Sequence, residues 1–391
     1  MKSVIYASDG YRKFFNRSVE KVHFLDELNV HSLSDCTIVI DPDHKFGVFD
    51  SAGMFVPSSG QKRNKVIQTP PVFMTANDYL DVEAVYLGTL EDHFGHFLLE
   101  HTTRLYALLR QRYQGKKYIL VNNRNLPGVS DFVYQLFALL GIDRNDVIVV
   151  SSSVGIRKLY VPEVAFEIPN TSSKAFGKIF DAAASAITSD IRHDKVYVSR
   201  LKLGDRATYG EEQIQQIFAS NGFAVIYPEC LSFDEQVAYM RHCKCLAGIA
   251  GSALHLSLFM PSGGTVVQIK RNKPYRDNSD TQYLLCATKG CDFVLVDCAL
   301  ERLPTHHWSE FPQIVGPTKY LKQFCADCGF VISGADMVPG TQYKKAYRAA
   351  FRSKGGFVRY QLKRILVYVV PRLIPCATKR TSVRRWLNKH I

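Results

Sequence analysis

The fold is decided by residues 195–270, which read KVYVSRLKLGDRATYGEEQIQQIFASNGFAVIYPECLSFDEQVAYMRHCKCLAGIAGSALHLSLFMPSGGTVVQIK. Short runs rich in Val, Ile and Phe alternate here with longer segments whose apolar residues recur at helical spacing. We predict strands at 195–199, 223–227, 245–250 and 265–270, and helices at 211–221, 232–242 and 253–260. Such alternation of strand and helix indicates a parallel sheet with helices on both faces, the doubly wound α/β arrangement.

The same alternation begins earlier in the chain. Strands are predicted at 82–87, 117–121 and 147–150, and helices at 94–110 and 131–140. A polar stretch rich in Ala and Ser, residues 171–190, separates the two series. We therefore expect an α/β protein with two Rossmann-like doubly wound domains that face each other across a cleft. Their predicted ranges are 1–190 and 191–335, followed by a basic helical tail at 336–391.

The positive charge of the chain is concentrated in this tail. The formal net charge is +13, yet residues 1–340 hold 35 Lys and Arg against 36 Asp and Glu. Residues 341–391 contain 14 Lys and Arg and no acidic residue. Aromatic and aliphatic residues are mixed with these charges, so we expect this segment to lie on an anionic membrane surface. A basic helix packed on the protein body, or a disordered end, has the same composition.

Other features bear on partners and location. The balanced body lacks a basic and aromatic recognition motif, so nucleic acid is not expected as a partner. The start, MKSVIYASDG, reaches Asp9 and Gly10 before it could form a signal peptide. No run approaches the roughly 18 to 20 apolar residues of a spanning helix. The 10 cysteines are irregularly spaced, and the lone Cys325-x-x-Cys328 is weak support for zinc. These features predict a cytoplasmic protein.

Three polar residues lie four positions apart in the helix predicted at 94–110. His96, Glu100 and Arg104 would line one stripe of that helix while its apolar face packs. A base, an acid and a cation on one stripe suit catalysis by proton transfer. An exposed helix face with salt bridges has the same spacing, so both interpretations stay open.

The strand predicted at 195–199 leads into a basic loop. Arg200, Lys202 and Arg206 follow it, and Glu211 opens the next helix. Guanidinium groups bind diphosphates through charge-assisted hydrogen bonds, and a helix N-terminus adds backbone amides. A solvated basic loop would show the same residues.

A loop of small residues follows the strand predicted at 245–250. Gly251 and Ser252 would let the backbone approach a ligand closely, and His255 lies just beyond them. A tight strand-to-helix turn needs small residues for its own sake, so this pattern alone is not specific.

Two carboxylates near the N-terminus offer a different chemistry. Asp41 and Asp43 flank Pro42 after a short strand at 37–40 and could hold a divalent metal on a nucleotide diphosphate. Little of a nucleotide-binding sheet precedes them, so we interpret the segment as a turn.

Taken in order, these patterns resemble glycosyltransferase family 61, whose members include capsular polysaccharide biosynthesis proteins. FGHFLLE at 94–100, with Arg104, resembles the family's aromatic-x-His-aromatic-Leu-Leu-Glu helix and the Arg after it. YVSR at 197–200, then Arg206 and Glu211, resembles a strand that ends in Ser-Arg with a later Arg and an acidic helix start.

Two later segments extend the resemblance. Gly222-Phe223 and LSFDEQV at 231–237 are similar to the family's Gly-Phe strand and Gln-containing helix, and 251–261 to its Gly-Ala-x-Leu turn and helix ending in Phe-x-Pro. The chain departs from the pattern at Ala250, where many members have His, and at Leu256, where they have Asn. The acidic start at Glu211 also lacks the usual Asn.

The resemblance implies a two-domain GT-B fold, inversion at the anomeric carbon and no essential metal or other cofactor. Residues 1–190 would hold the acceptor, and residues 191–335 the nucleotide-sugar donor, expected to be UDP-linked. His96 would be the catalytic base and Glu100 would orient it. The donor site would comprise Arg200, Arg206, Glu211, Gly251, Ser252 and His255, with Arg104 and Lys202 as further site residues.

The expected function is therefore sugar transfer to a glycan or lipid-linked glycan acceptor in surface or capsular polysaccharide synthesis. The enzyme would lie peripherally on the cytoplasmic face of the inner membrane. Two alternatives remain. One is a metal-dependent, single-domain type of glycosyltransferase that uses Asp41 and Asp43. The other is a non-enzymatic protein that binds membranes or nucleic acid.

Overall fold

The computed structural model describes residues 1–60, 62–63, 66–67, 70–203, 208–271, 279–300 and 314–332, and the isolated positions Leu366, Ile374 and Val383. The strands, in chain order, are β1 Ser3–Tyr6, β2 His23–Leu25, β3 Val30–Ile40, β4 Phe46–Phe49, β5 Lys62–Arg63, β6 Val66–Ile67, β7 Asp78–Thr89, β8 Lys117–Val121, β9 Val147–Val150, β10 Val154–Pro162, β11 Phe166–Glu167, β12 Thr171–Ser173, β13 Lys195–Val198, β14 Ala224–Ile226, β15 Cys245–Ile249, β16 Thr265–Lys270 and β17 Asp292–Asp297.

The α-helices are α1 Asp9–Val19, α2 Phe94–His96, α3 Asp131–Leu139, α4 Lys174–Ala186, α5 Glu211–Ser220, α6 Phe233–Arg241, α7 Ser279–Lys289 and α8 Lys319–Asp327. Short 3-10 helices lie at Pro57–Ser59, Leu105–Leu109, Gln111–Tyr113, Arg144–Asp146, Pro228–Cys230 and Ser252–Phe259, and a π-helix lies at Phe97–His101. In the described ranges, no helix is both long and apolar enough to cross a bilayer.

The C-terminal half is built on a six-stranded sheet in the order β14-β13-β15-β16-β17-β1. Every pairing in it is parallel, which confirms the alternation predicted for residues 195–270. The strand order reverses between β13 and β15, because the chain proceeds from β13 to one side and from β15 to the other. Such a reversal is the topological switch point of a doubly wound sheet.

Strand β1 belongs to this sheet, where Ser3 lies opposite Phe293 on β17. Helix α1 follows it and packs on α7, with the ring of Phe15 centred 5.7 Å from that of Tyr283. The sequence analysis placed residues 1–190 together in the N-terminal unit. In the structure, the first strand and helix of that range contribute to the other sheet, a long-range pairing that local periodicity does not reveal.

The N-terminal half contains a mixed six-stranded sheet in the order β4-β3-β10-β7-β8-β9. Strands β10, β7, β8 and β9 are parallel, as predicted for the last three of them. Strand β3 runs antiparallel to β10, and β4 antiparallel to β3. The expectation of a purely doubly wound N-terminal unit is therefore wrong at this edge of the sheet.

The single helix predicted at 94–110 is also wrong. The chain forms the one-turn helix α2, then the π-helix, and later the 3-10 helix Leu105–Leu109. The hydroxyl of Thr102 donates a 2.7 Å hydrogen bond to the carbonyl oxygen of Leu98. Thr side chains that bond to the preceding turn compete with a regular α-helical ladder.

Helix α4 joins the two halves, although the sequence analysis treated residues 171–190 as a separator. Its buried face carries Phe176, Ile179 and Phe180. The helix contacts Leu105–Leu109 on one side and Ser252–Phe259 on the other. Its buried side chains belong to one apolar cluster that also contains residues of both large sheets. The two halves therefore share a continuous hydrophobic core.

The basic tail predicted at 336–391 lies outside the described residues, apart from Leu366, Ile374 and Val383. Its predicted helix and its membrane contact therefore stay predictions.

Candidate active site

The switch point of the parallel sheet brings two predicted loops together. Arg200 follows the end of β13, and Gly251 follows the end of the neighbouring strand β15. A Cβ atom at position 251 would lie only 2.5 Å from Nη1 of Arg200. The guanidinium group therefore rests against the backbone of Gly251, and a side chain at this position would displace it. Ligands of doubly wound sheets lie in the crevice that opens at this point.

Glu211 supports this arrangement from inside the protein. Its Oε1 accepts a 2.8 Å hydrogen bond from the backbone N–H of Arg200 and a 3.4 Å bond from the Tyr197 hydroxyl. The side chain has no exposed surface, and burial raises the pKa of Glu211 to about 7. The carboxyl group is therefore turned toward the protein and positions the Arg200 loop.

Among the other members of the predicted basic loop, only Lys202 is described, and it does not face the crevice. Lys202 is exposed, and its Nζ lies 4.3 Å from the ring centre of Tyr227. Tyr227 follows β14, on the side of β13 that faces away from β15. Lys202 is thus directed away from the switch point, while Arg206 lies outside the described residues.

The turn that carries His96 packs directly on the small-residue loop. A Cβ atom at Gly95 would overlap the hydroxyl of Ser252, and it would lie 2.8 Å from Cβ of Ser252. Helix α2 and the 3-10 helix Ser252–Phe259 are therefore in van der Waals contact. The first and third groups of predicted site residues, which are distant in sequence, meet at this contact.

His96 forms a close pair with Glu100 across one turn of helix. Nδ1 of His96 donates to Oε1 of Glu100 at 2.6 Å. Because an ionised carboxylate only accepts hydrogen bonds, the hydrogen lies on Nδ1 and the lone pair of the neutral ring lies on Nε2. The His96 side chain is 43% exposed, whereas that of Glu100 is 8% exposed. The pair therefore consists of an accessible imidazole and a buried carboxylate that orients it.

Arg104 does not share the stripe of His96 and Glu100, contrary to the helical prediction. Its guanidinium group donates to the backbone oxygens of Ser58, Gly60 and Pro162 at 2.7, 2.9 and 3.2 Å. The side chain is only 4% exposed. Arg104 therefore ties the turn after the π-helix to residues 58–60 and to the end of β10.

A polar cluster around the buried carboxylate of Glu91, next to the start of α2, was missed by the sequence analysis. Oε1 of Glu91 accepts hydrogen bonds from the N–H groups of Asp92 and His93, at 3.1 and 3.2 Å. Arg124 donates to Oε2 of Glu91 at 2.7 Å. Nδ1 of His101 donates to the carbonyl oxygen of Thr89 at 2.8 Å, and burial lowers the pKa of His101 to about 4.

These contacts fix the backbone at the start of α2. Glu91 follows β7 and Arg124 follows β8, so each lies just beyond the carboxyl end of a parallel strand. A position just beyond the carboxyl end of a predicted parallel strand was the sequence signal that could have identified Glu91 and Arg124.

Arg271 is a second residue that the sequence analysis missed. It directly follows β16, the neighbour of β15 in the sheet. Its positive charge, together with that of Arg200, opposes the rise in the pKa of Glu211. Arg271 therefore adds positive charge to the same end of the sheet, and its place after a predicted strand could have indicated this.

The alternative pair of carboxylates lies elsewhere. Asp41 and Asp43 occupy the hairpin turn between β3 and β4, where Lys45 N–H donates to Oδ1 of Asp41 at 2.9 Å. Lys45 Nζ lies 3.5 Å from Oδ2 of Asp43. This geometry agrees with the interpretation as a turn. Within the described ranges, no group of three or more His, Cys, Asp or Glu side chains is arranged to hold a metal ion.

The fold and the site define a doubly wound α/β protein with basic groups and a His–Glu pair at its ligand crevice. Residues 94–267 match the family model Glycosyltransferase 61. This match supports glycosyltransferase family 61 for residues 94–267 and, with it, a glycosyltransferase enzyme. No curated protein matches the chain. The matched range runs from the start of α2 into β16, so it includes the His96 turn and both switch-point loops. The alternative of a non-enzymatic binding protein is set aside on this ground.

Proposed function

We propose that the enzyme transfers a sugar from a nucleotide-sugar donor, UDP-linked, to a glycan acceptor with inversion at the anomeric carbon. The observation that carries this proposal is the contact between two elements at the switch point. His96, which pairs with Glu100, lies on α2, and α2 packs against Ser252. Arg200 rests against Gly251 of the same loop. A candidate base and a candidate anion ligand thus border one crevice.

In the proposed mechanism, an acceptor hydroxyl attacks the anomeric carbon while His96 removes its proton through Nε2. Glu100 holds the ring in the required tautomer and stabilises the imidazolium ion that forms. The departing nucleotide diphosphate gains negative charge, and cationic and amide groups stabilise it in the transition state. Arg200 is the described candidate for this role, with Arg271 beside it and Arg206 as a further sequence-based candidate. No metal or other cofactor is required in this mechanism.

The two halves of the chain suggest how the substrates are divided. We assign the donor to the parallel sheet, because Arg200 and Gly251 meet at its switch point, where ligands of doubly wound sheets bind. The acceptor would approach from the mixed-sheet half, which supplies His96 from the loop after β7. This division corresponds to a GT-B arrangement, with the shared core around α4 holding the halves together.

We further propose that residues 341–391 attach the enzyme to an anionic membrane, where a lipid-linked glycan of surface or capsular polysaccharide synthesis is the acceptor. The support is compositional: this segment has 14 basic and no acidic residues, mixed with aromatic and aliphatic ones. Such attachment would make the enzyme a peripheral protein of the cytoplasmic face of the inner membrane. Binding of the full chain to phosphatidylglycerol vesicles should fall steeply with added salt, and binding equal to that on phosphatidylcholine would contradict the proposal.

The donor site is tested with a panel of UDP, GDP, dTDP and CMP sugars, with and without EDTA. The expected result is a rise in melting temperature with one nucleotide series, unchanged by EDTA. The His96→Ala variant should bind that donor normally and fail to transfer the sugar. His193→Ala is the matched control, because His193 is exposed and stacks on Tyr239 at 5.6 Å. Full transfer activity in His96→Ala would refute the proposed mechanism.

A further inference from the structure

His255 has a tautomer that is fixed by its neighbours. Its Nδ1 lies 3.2 Å from Oε1 of Gln282. The amide nitrogen of Gln282 donates to the carbonyl oxygen of Leu254 at 3.3 Å and to the hydroxyl of Ser257 at 2.9 Å. Since a backbone carbonyl oxygen only accepts hydrogen bonds, the amide nitrogen must face Leu254 and the amide oxygen must face His255. The hydrogen of the imidazole therefore lies on Nδ1, and Nε2 carries a lone pair.

Nε2 of His255 is available to a ligand. It makes no hydrogen bond with any described residue, and the side chain is partly exposed. A Cβ atom at Gly95 would lie 3.4 Å from Cδ2, the ring carbon bonded to Nε2. The open edge of the ring thus lies beside the turn that carries His96. Burial, assisted by the nearby His96 and His93, lowers the pKa of His255 to about 4, so the ring is neutral near pH 7.

We propose that His255 is a sugar-binding residue whose Nε2 accepts a hydrogen bond from a hydroxyl group of the donor sugar, and that Gln282 is the residue that positions it. This inference rests on the proposed function, because it takes the crevice beside His96 to be the place of sugar transfer. It adds a specificity determinant: a donor without that hydroxyl group would leave a buried acceptor unpaired.

The chemistry of the site distinguishes the sugar from the rest of the donor. A neutral ring that carries a lone pair on Nε2 has no hydrogen on that nitrogen to offer a phosphate oxygen, whereas the guanidinium group of Arg200 has several. The diphosphate is therefore expected on the Arg200 side of the loop. His255 lies against Gly95, next to the candidate base, where the reacting sugar rather than the nucleobase must be held.

Two substitutions of His255 test the roles of its two ring nitrogens separately. In His255→Asn, the side-chain amide can replace Nδ1 and keep the contact with Gln282, but nothing replaces Nε2. In His255→Gln, the longer side chain can place an amide oxygen near the position of Nε2. Calorimetric titration of the wild type and both variants with UDP, GDP, dTDP and CMP, and with their common sugar conjugates, compares the two halves of the ligand.

For the nucleotide series that binds, His255→Asn should lower the affinity for the sugar conjugate about tenfold, as expected for the loss of one hydrogen bond. The affinity for the free nucleotide should not change. His255→Gln should bind the sugar conjugate nearly as well as the wild type. If His255→Asn lowers the affinity for the free nucleotide and for the sugar conjugate equally, or lowers neither, the inference is overturned. A wild-type chain that binds no nucleotide sugar would overturn the proposed function as well.

A second measurement needs no ligand. Long-range proton–nitrogen NMR spectra of the full chain report which nitrogen of each histidine carries hydrogen. We expect the Nδ1-hydrogen form for His255, changed to a tautomer mixture by Gln282→Leu, and the Nε2-hydrogen form in the wild type would refute the inference. Loss of transfer in His96→Ala together with unchanged sugar binding in His255→Asn would overturn this inference alone.

Discussion

Nδ1 of His96 lies 2.6 Å from Oε1 of Glu100, on the element that packs against Ser252 at the switch point of the parallel sheet. This pairing gives the imidazole a defined tautomer and leaves the ring accessible, the combination that a general base requires. His96 and Glu100 form this hydrogen bond although the segment is not a regular α-helix. A π-helix begins at Phe97 and still brings Glu100 back to His96.

Removing the charge of Glu100 should lower kcat more than it changes donor binding. In Glu100→Gln, an amide replaces the carboxylate, so the stabilisation of a protonated His96 is lost. We expect a decrease of about 100-fold in kcat, at the lower end of the range that acid–base groups contribute. Steady-state kinetics with the donor identified by the binding screen measures it. Unchanged kcat would mean that Glu100 has no part in orienting a base.

Gly95→Ala should separate α2 from the small-residue loop. The added methyl group would overlap the Ser252 hydroxyl, so His96 should shift relative to Arg200 and transfer should fall about 100-fold, as small misplacements of reacting groups allow. The double variant Gly95→Ala with Ser252→Gly removes the obstructing atoms and should recover much of the rate. Gly128→Ala is the control, because a Cβ atom there meets nothing within 4 Å. A fully active Gly95→Ala would contradict the contact.

Arg104→Met should lower the free energy of unfolding and leave the rate of sugar transfer unchanged. The guanidinium group satisfies three backbone oxygens, and their loss in a buried site should lower the free energy of unfolding by about 2–4 kcal/mol. Urea unfolding measures the loss. Arg157→Met is the matched control, since Arg157 pairs with Asp81 at an exposed site and should change stability by under about 1 kcal/mol. Equal effects of the two substitutions would refute the structural role of Arg104.

Ionisation of the buried Glu211 carboxyl group should lower the stability of the protein as the pH rises from mildly acid to neutral. Its pKa is raised from 4.5 to about 7 by burial, so the folded state favours the protonated form. That contribution is fully present below about pH 4.5 and is lost as the pH rises through 7. Glu211→Gln keeps an oxygen for the Arg200 N–H and removes the titration.

The comparison of Glu211→Gln with the wild type cancels the opposite contributions of His101 and His255, whose pKa values are lowered. The difference in unfolding free energy between the two proteins should change by about 3 kcal/mol from pH 4 to pH 8. Urea unfolding at intervals of pH measures it. Parallel curves for the two proteins would show that Glu211 titrates normally in the folded state.

Asp41→Asn and Asp43→Asn should leave sugar transfer unchanged, and so should EDTA. Both carboxylates are engaged by Lys45 in the hairpin turn. Transfer assays with and without EDTA, with Mg²⁺ restored in a third sample, make the comparison. Loss of activity in EDTA that Mg²⁺ restores, and that Asp43→Asn reproduces, would favour the metal-dependent alternative.

Local patterns predicted the parallel sheet well because each buried strand is a short apolar run and each helix repeats its apolar residues regularly. Strands β13, β15 and β16 and helices α5 and α6 lie within one or two residues of their predicted bounds. The spacing of His96 and Glu100 predicted their contact correctly, since residues four apart still meet in the π-helical turn.

Long-range contacts account for what sequence reasoning missed. Strand β1 pairs with β17, nearly 300 positions away, and no local signal reports that choice. Helix α4 carries buried Ala residues among its aromatic ones, and Ala and Ser were interpreted as the composition of a linker. Arg104 left the predicted stripe because backbone oxygens from distant loops bind it more fully than solvent or Glu100 would.

The most direct test of the central claim is a single-turnover transfer assay on the wild type and on His96→Ala, with the donor dissociation constant measured for both. We predict equal donor affinity, transfer by the wild type, and a rate at least about 100-fold lower in His96→Ala. Transfer by His96→Ala at the wild-type rate would contradict the claim that the His96–Glu100 pair at the switch point performs the reaction.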